Sequence, residues 1–138
     1  MLRYRLTHPE ILASLAAAGH GSMVLLADGH YPVSTGVAPT ADRVSLNLAP
    51  DRPTVPEVLE VLLDAVAVEA ATVMQPPDTM GEPEIFTEFS RLLRDCPMER
   101  LDRFAFYDAA RSRDVALVIG TGERRTYANL LLTLGVVA

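Results

Sequence analysis

The chain is 138 residues long, 49% hydrophobic and 22% charged, a balance that suits one globular domain over residues 1–138 and excludes a disordered or fibrous chain. Its 18 acidic residues against 12 basic ones leave a net charge of −6, which argues against nucleic acid and anionic membranes as partners. Every basic residue is an arginine, so lysine Schiff-base chemistry and a Walker-type phosphate loop are excluded as well.

The first predicted element is a helix over Glu10–Ala18. Thr7 and Glu10 have capping-box spacing, Pro9 suits a first helical turn, and Gly19 is the expected stop. Residues 23–27, MVLLA, form a continuous apolar run that reads as a buried strand ending at Asp28. The stretch DGHYPVSTGVAPTADR is loop-like, with Gly and Pro breakers close together. Val44–Leu48 alternates apolar and polar residues, the pattern of a second strand. Thr54 and Glu57 repeat the capping-box spacing ahead of a helix over Val55–Leu63. Val66–Val73 reads as a third strand and QPPDTMGEP as a loop. Pro83 then opens a helix with Ile85, Phe86, Phe89, Leu92 and Leu93 on one face. Arg103–Ser112 reads as a helix, residues 115–119 as a strand, GTGERR as a turn, and YANLLLTLGVV as the last strand. Helices alternating with apolar strands predict an α/β fold, a three-layer α/β/α sandwich around a central mixed, largely parallel sheet.

Absences narrow the chemistry. Cys96 is solitary, so no intrachain disulfide and no cysteine-based metal site is expected. The three histidines include no pair at ligand spacing, and no cofactor fingerprint is complete, so neither metal nor cofactor is expected. No apolar run has transmembrane length and MLRYRLTHPE lacks a signal-peptide core, which leads to the expectation of a cytoplasmic protein.

Ligands of open α/β sheets sit beyond the carboxyl ends of strands, which directs attention to the loop from Asp28, the loop from Gly120 and the turn around His20. Gly19-His20-Gly21 places an imidazole between two permissive residues, consistent with an exposed ring or with a helix C-cap. Asp28 can orient an imidazole, hold a sugar hydroxyl, or close an Asx-turn; for His30 and Tyr31 beside it, the turn is the better account. Gly120-Thr121-Gly122 begins like a dinucleotide fingerprint, but Arg125 stands where the third glycine belongs, so loop geometry explains the glycines. Tyr127 and Asn129 lie two apart and would share one side of a strand, either facing a pocket or satisfying the turn. Arg103 leads RFAFY, where core packing is the default for the aromatics and a surface salt bridge for the arginine.

These residues carry a resemblance. His8-Pro9-Glu10 with its helix, then GHG, then the strand ending in Asp28-Gly29-His30-Tyr31-Pro32, resembles the start of the ribose pyranase and fucose mutarotase family. RFAFY at 103–107 and TGERRTYANLLLTLGV at 121–136 resemble that family's end, RFAFY being more like the fucose mutarotase branch. The correspondence is weakest between residues 33 and 98. The resemblance implies a metal-free, cofactor-free isomerase that opens and recloses sugar rings, acting on L-fucose or a similar pyranose. By the same resemblance His20 is the proton donor, Asp28 and Arg103 bind substrate, and Tyr127, Ala128 and Asn129 form the remaining site segment, with Tyr127 a second proton carrier or a hydrogen bonder. It further implies a ring-shaped homo-oligomer, commonly a decamer, with sites completed by a neighbouring subunit. A D-ribose pyranase, or a non-catalytic monosaccharide-binding or transport-accessory protein, would use the same polar residues.

Overall fold

The computed structural model describes all residues 1–138. Its strands are β1 (Met23–Ala27), β2 (Asp42–Ser45), β3 (Val68–Gln75), β4 (Met98–Asp102), β5 (Val115–Gly120) and β6 (Leu130–Leu134). Its helices are α1 (Pro9–Ala17), α2 (Val55–Leu63), α3 (Ile85–Leu93) and α4 (Arg103–Ala110). The strands form one sheet in the order β2-β5-β1-β6-β3-β4.

Position in that sheet follows from composition. The predominantly apolar strands β1, β5 and β6 lie inside, covered on both faces, while DRVS and MERLD sit at the two edges, where one side meets solvent. Pairing is parallel for β2–β5, β5–β1 and β3–β4, and antiparallel for β1–β6 and β6–β3. Only β6 therefore runs against the rest. The carboxyl ends of the other five strands and the amino end of β6 meet along one edge.

Strand alternation divides the core into two layers. Val24, Leu26, Leu130, Leu132 and Val73 face α1, α2 and α3, meeting Ile11, Leu59, Phe86 and Phe89. Leu25, Ala27, Leu131 and Met74 face the other way, toward α4 and the 31–41 loop, where they meet Phe106, Ala110, Tyr31 and Val37. The α/β/α layering thus holds, with three helices on one face and one helix plus a packed loop on the other.

Several element bounds differ from the sequence reading. The Thr54–Glu57 capping box forms in both directions. The Thr7–Glu10 spacing does not cap: with Pro9 at the first helical position, His8 becomes the N-cap and its Nδ1 accepts from the Ile11 N–H. The helix after Pro83 starts at Ile85, α4 ends at Ala110, and β2 lies slightly earlier than expected. β4 was not anticipated, because three of its five residues are charged and an edge strand needs no apolar run. No helix is long and apolar enough to cross a membrane.

Candidate active site

A cleft of about 250 Å³ opens at the edge where the five carboxyl ends meet, lined by Asp28, His30, Tyr31, Met74, Arg103, Tyr107, Thr126, Tyr127 and Asn129. Its floor is a buried polar knot. Asp28, 3% exposed, follows β1 directly. Its Oδ1 accepts from the backbone N–H groups of His30 at 2.9 Å and Tyr31 at 3.0 Å. Its Oδ2 accepts from the Ala128 N–H at 3.2 Å and from Asn129 Nδ2 at 3.1 Å. Asn129 answers through its Oδ1, which accepts the Asp28 N–H at 2.8 Å. Burial pushes the Asp28 carboxyl above the usual carboxylate range, against the pull of the His30, Ala128 and Tyr31 N–H groups.

The knot fixes Tyr127. Ala128 and Asn129 are tied to Asp28, and Tyr127 ahead of them takes φ = +58°, a left-handed conformation that costs a non-glycine residue about 1–3 kcal/mol. Tyr127 and Asn129 are therefore not alternating strand residues, since β6 begins only at Leu130. Both line the cleft for a different reason: one by backbone strain, the other by its bonds to Asp28.

Arg103 is the first residue of α4, placed there because Asp102 caps the helix by accepting from the Phe104 and Ala105 N–H groups. The guanidinium makes no salt bridge, contrary to the default expected for a surface arginine. It lies 5.5 Å from the Tyr107 ring centroid and 5.7 Å from that of Phe104, and its Nε donates to the Tyr107 hydroxyl at 3.4 Å. Its remaining N–H groups stay available at the rim. The RFAFY aromatics divide: Phe106 is fully buried in the core, Tyr107 lines the cleft, and Phe104 is 72% exposed.

The loop that carries Tyr127 is braced from behind. Glu123, 1% exposed, accepts from Arg125 Nε at 2.9 Å and from the Val55 N–H at the start of α2, and Arg125 also pairs with Glu88 of α3. Gly122 packs so closely that a Cβ there would meet the Ala49 carbonyl at 2.2 Å. These glycines serve loop packing, as the missing third glycine of the fingerprint implied.

His20 lies elsewhere. Gly19-His20-Gly21 precedes β1, and Asp28 follows it, so the two sit at opposite edges of the sheet. β1 spans roughly 16 Å at about 3.3 Å per residue. The turn around His20 is thus at an amino end, not a carboxyl end as the sequence reading had placed it. The ring is exposed, with Nε2 3.0 Å from Glu69 Oε2. Within one chain the structure brings Asp28, Arg103, Tyr127, Ala128 and Asn129 together and leaves His20 apart. The imidazole that does reach the cleft is His30, whose Nε2–H donates to the Arg124 carbonyl at 2.9 Å. Met74 and Thr126 also line it without having been singled out, and Tyr107 lines it although core packing was the default for the RFAFY aromatics.

Residues 1–137 match the model of the RbsD / FucU transport protein family. A fucose mutarotase of Danio rerio is 32% identical over 94% of this chain and 88% of its own length. A D-ribose pyranase of Bacillus cytotoxicus is 29% identical over 99% of both chains. The structure of Bacillus subtilis RbsD complexed with D-ribose superposes with a TM-score of 0.86 at 24% identity, covering 100% of both chains, a likeness of fold. The chain belongs to the RbsD/FucU family and, with full-length relatives that are mutarotases and pyranases, is an enzyme of the isomerase class.

Proposed function

We propose that this chain interconverts the anomers of a free monosaccharide, L-fucose or a similar pyranose. The observation that carries the reading is the cleft itself. It is the size of one small ligand, its Arg103 fork is unpaired, and Tyr127 and Thr126 stand beside apolar Met74 and Tyr107. A guanidinium with free N–H groups suits adjacent ring hydroxyls. The thioether and aromatic faces suit an apolar patch such as a C6 methyl.

Mutarotation needs a proton delivered to the ring oxygen as the anomeric hydroxyl loses its own. The C1–O5 bond opens to an aldehyde, the C1–C2 bond rotates, and reclosure on the other face reverses both transfers. His20 is the donor in this reading because an imidazole can both give and take up a proton. Tyr127 is the second proton carrier or a hydrogen bonder. Asp28 and Asn129 hold the floor of the cleft and reach the sugar from it.

Since His20 is at the far edge of its own sheet, the donor comes from a neighbouring copy. A head-to-tail contact between the two edges is heterologous, and a ring is the closed form of such a contact. Exposed apolar residues stand at both edges: Phe104 at 72%, Met80 at 57% and Leu48 at 86% on the cleft side, Val136 at 67% and Val137 at 87% on the His20 side. This supports a ring-shaped homo-oligomer, a decamer in the fullest form of the reading.

The test is saturation-transfer NMR on L-fucose and D-ribose at matched concentrations, with wild type, His20→Gln and His30→Gln. Faster anomer exchange on fucose is expected. His20→Gln should lower exchange by about 10²–10⁴-fold in a folded, assembled protein, and His30→Gln much less. Strong ribose ring-size exchange with none on fucose would make the chain a D-ribose pyranase. Sugar binding without exchange would make it a binding or transport-accessory protein.

A further inference from the structure

We infer that Tyr107 and Arg111 are positioning residues of the Arg103 guanidinium, holding its fork toward the sugar, with Arg111 acting from outside the cleft. The inference rests on the reading of Arg103 as the residue that binds the sugar hydroxyls. It adds an arginine that does not line the cleft and that the sequence did not single out.

The three side chains form a ladder on α4. Arg103, Tyr107 and Arg111 follow one another at intervals of four, the spacing of neighbours on one helix face. Arg111 lies just past the end of α4. Its φ of −89° and ψ of 0°, and its N–H, which donates to the Tyr107 carbonyl at 3.2 Å, continue the helical turn. Both guanidinium carbons stand within cation–π distance of the same ring, 5.5 Å from its centroid for Arg103 and 5.8 Å for Arg111. The Phe104 ring, 5.7 Å from the Arg103 guanidinium carbon, flanks that group as well.

The Tyr107 ring is in turn fixed from the floor of the cleft. It packs on Tyr31, with centroids 5.4 Å and planes 58° apart. Tyr31 is buried; its hydroxyl donates to the Gly36 carbonyl at 2.8 Å and its N–H to Asp28 Oδ1 at 3.0 Å. Contacts thus run from Asp28 through Tyr31 to the Tyr107 ring, and the Tyr107 hydroxyl accepts from Arg103 Nε at 3.4 Å. With Nε engaged there, the N–H groups of the two terminal nitrogens are left without a partner in the chain. They present an end-on fork to a pair of neighbouring hydroxyls.

Charge pairing does not account for the ladder. The chain has 18 acidic residues, yet neither Arg103 nor Arg111 forms a salt bridge. Two like charges set against one ring also repel each other. The second guanidinium supplies restraint instead: it holds the ring by cation–π attraction, and the ring and its hydroxyl hold Arg103. An arginine already held loses less side-chain freedom when the sugar binds, so the effect belongs to affinity and not to proton transfer.

The experiment measures kcat and KM for L-fucose anomer exchange in Tyr107→Phe, Arg111→Gln and Arg111→Lys, each in the wild-type chain and in Arg103→Ala. Denaturation midpoints and assembly mass should match within each background. Tyr107→Phe keeps the aromatic face and loses only the hydroxyl. In the wild-type chain it should raise KM about 2–10-fold at unchanged kcat, the size of immobilising one rotamer-rich side chain on binding. Arg111→Gln should raise KM about threefold, and Arg111→Lys, which returns a cation to the ring, should restore the wild-type value. In Arg103→Ala none of these substitutions should change KM further. A wild-type KM in Arg111→Gln, or an equal rise with and without Arg103, overturns the inference while Arg103→Ala still binds sugar weakly. A wild-type KM in Arg103→Ala itself instead overturns the reading beneath it.

Discussion

The two edges of the sheet are built on opposite plans. At the carboxyl edge, Asp28 and Asn129 are both 3% exposed and exchange hydrogen bonds with each other and with the neighbouring backbone. At the amino edge, His20 and Glu69 are 59% and 45% exposed and touch chiefly each other. Buried polar groups in a low-dielectric setting hold one geometry, because every alternative leaves a donor or acceptor unpaired. An exposed imidazole keeps access to a partner and can exchange its proton. In the proposed reaction, recognition and proton transfer are thus separated within one chain and united only across a contact between chains.

The strongest way to break this contrast is at Asp28. Asp28→Ala leaves the His30, Tyr31 and Ala128 N–H groups and the Asn129 amide without an acceptor, each costing about 1–3 kcal/mol when buried. A loss of about 3–5 kcal/mol in chemical denaturation is expected, below the sum of the four penalties because water can enter the space the carboxylate leaves, with loss of exchange as Tyr127 leaves its left-handed conformation. Asp28→Asn keeps one oxygen and should fall between. A small stability change in Asp28→Ala would show that the knot is not what holds the cleft.

Arg103 tests recognition apart from folding. Being exposed and free of ion pairs, Arg103→Ala should leave the denaturation midpoint nearly unchanged. It should raise KM roughly 10–100-fold, the size of losing charge-assisted hydrogen bonds to the sugar. Isothermal titration with L-fucose measures the same loss directly.

The separation itself is tested by mixing. His20→Gln and Arg103→Ala chains, each impaired alone at sugar well below KM, should recover about a quarter of wild-type exchange after co-assembly. Random pairing puts an intact Arg103 beside an intact partner His20 in about that fraction of head-to-tail contacts. No recovery in a verified mixed assembly would place both groups in the same chain's site.

The smallest expected effect concerns the brace behind the cleft. Burial works against the Glu123 charge, but Arg125 and the Val55 N–H outweigh it and hold the carboxyl below the usual glutamate range. A depressed folded value contributes stability above the ordinary glutamate range and loses it as pH falls through the folded value. Glu123→Gln should therefore cost about 1 kcal/mol near neutral pH, and the gap to wild type should close in acid. A gap that persists at low pH would mark packing, not charge, as its cause.

What could be read locally was read well. The apolar runs MVLLA and VALVI and the Thr54–Glu57 cap depend on neighbours a few residues away, and all three form as expected. His8 displaced Thr7 as a cap because Pro9 fixed where the helix begins. β4 escaped because an edge strand of charged residues has no periodic apolar signal, and Tyr107 because an aromatic half in the core and half in a cleft reads simply as core.

The sequence by itself determined that a five-residue apolar strand stands between His20 and Asp28, and an extended strand cannot fold back within that span, although the strand-end rule applied to the sequence put both turns at carboxyl ends. Only the tertiary structure decided that Tyr127–Asn129 would meet Asp28 and that Glu69 would meet His20. Both meetings depend on β6 lying antiparallel between β1 and β3, so that its beginning joins the cleft and its end joins the histidine turn. Strand direction and neighbour order are settled by burying three apolar strands at the centre of one sheet. That is a property of the whole chain, which no window of sequence contains.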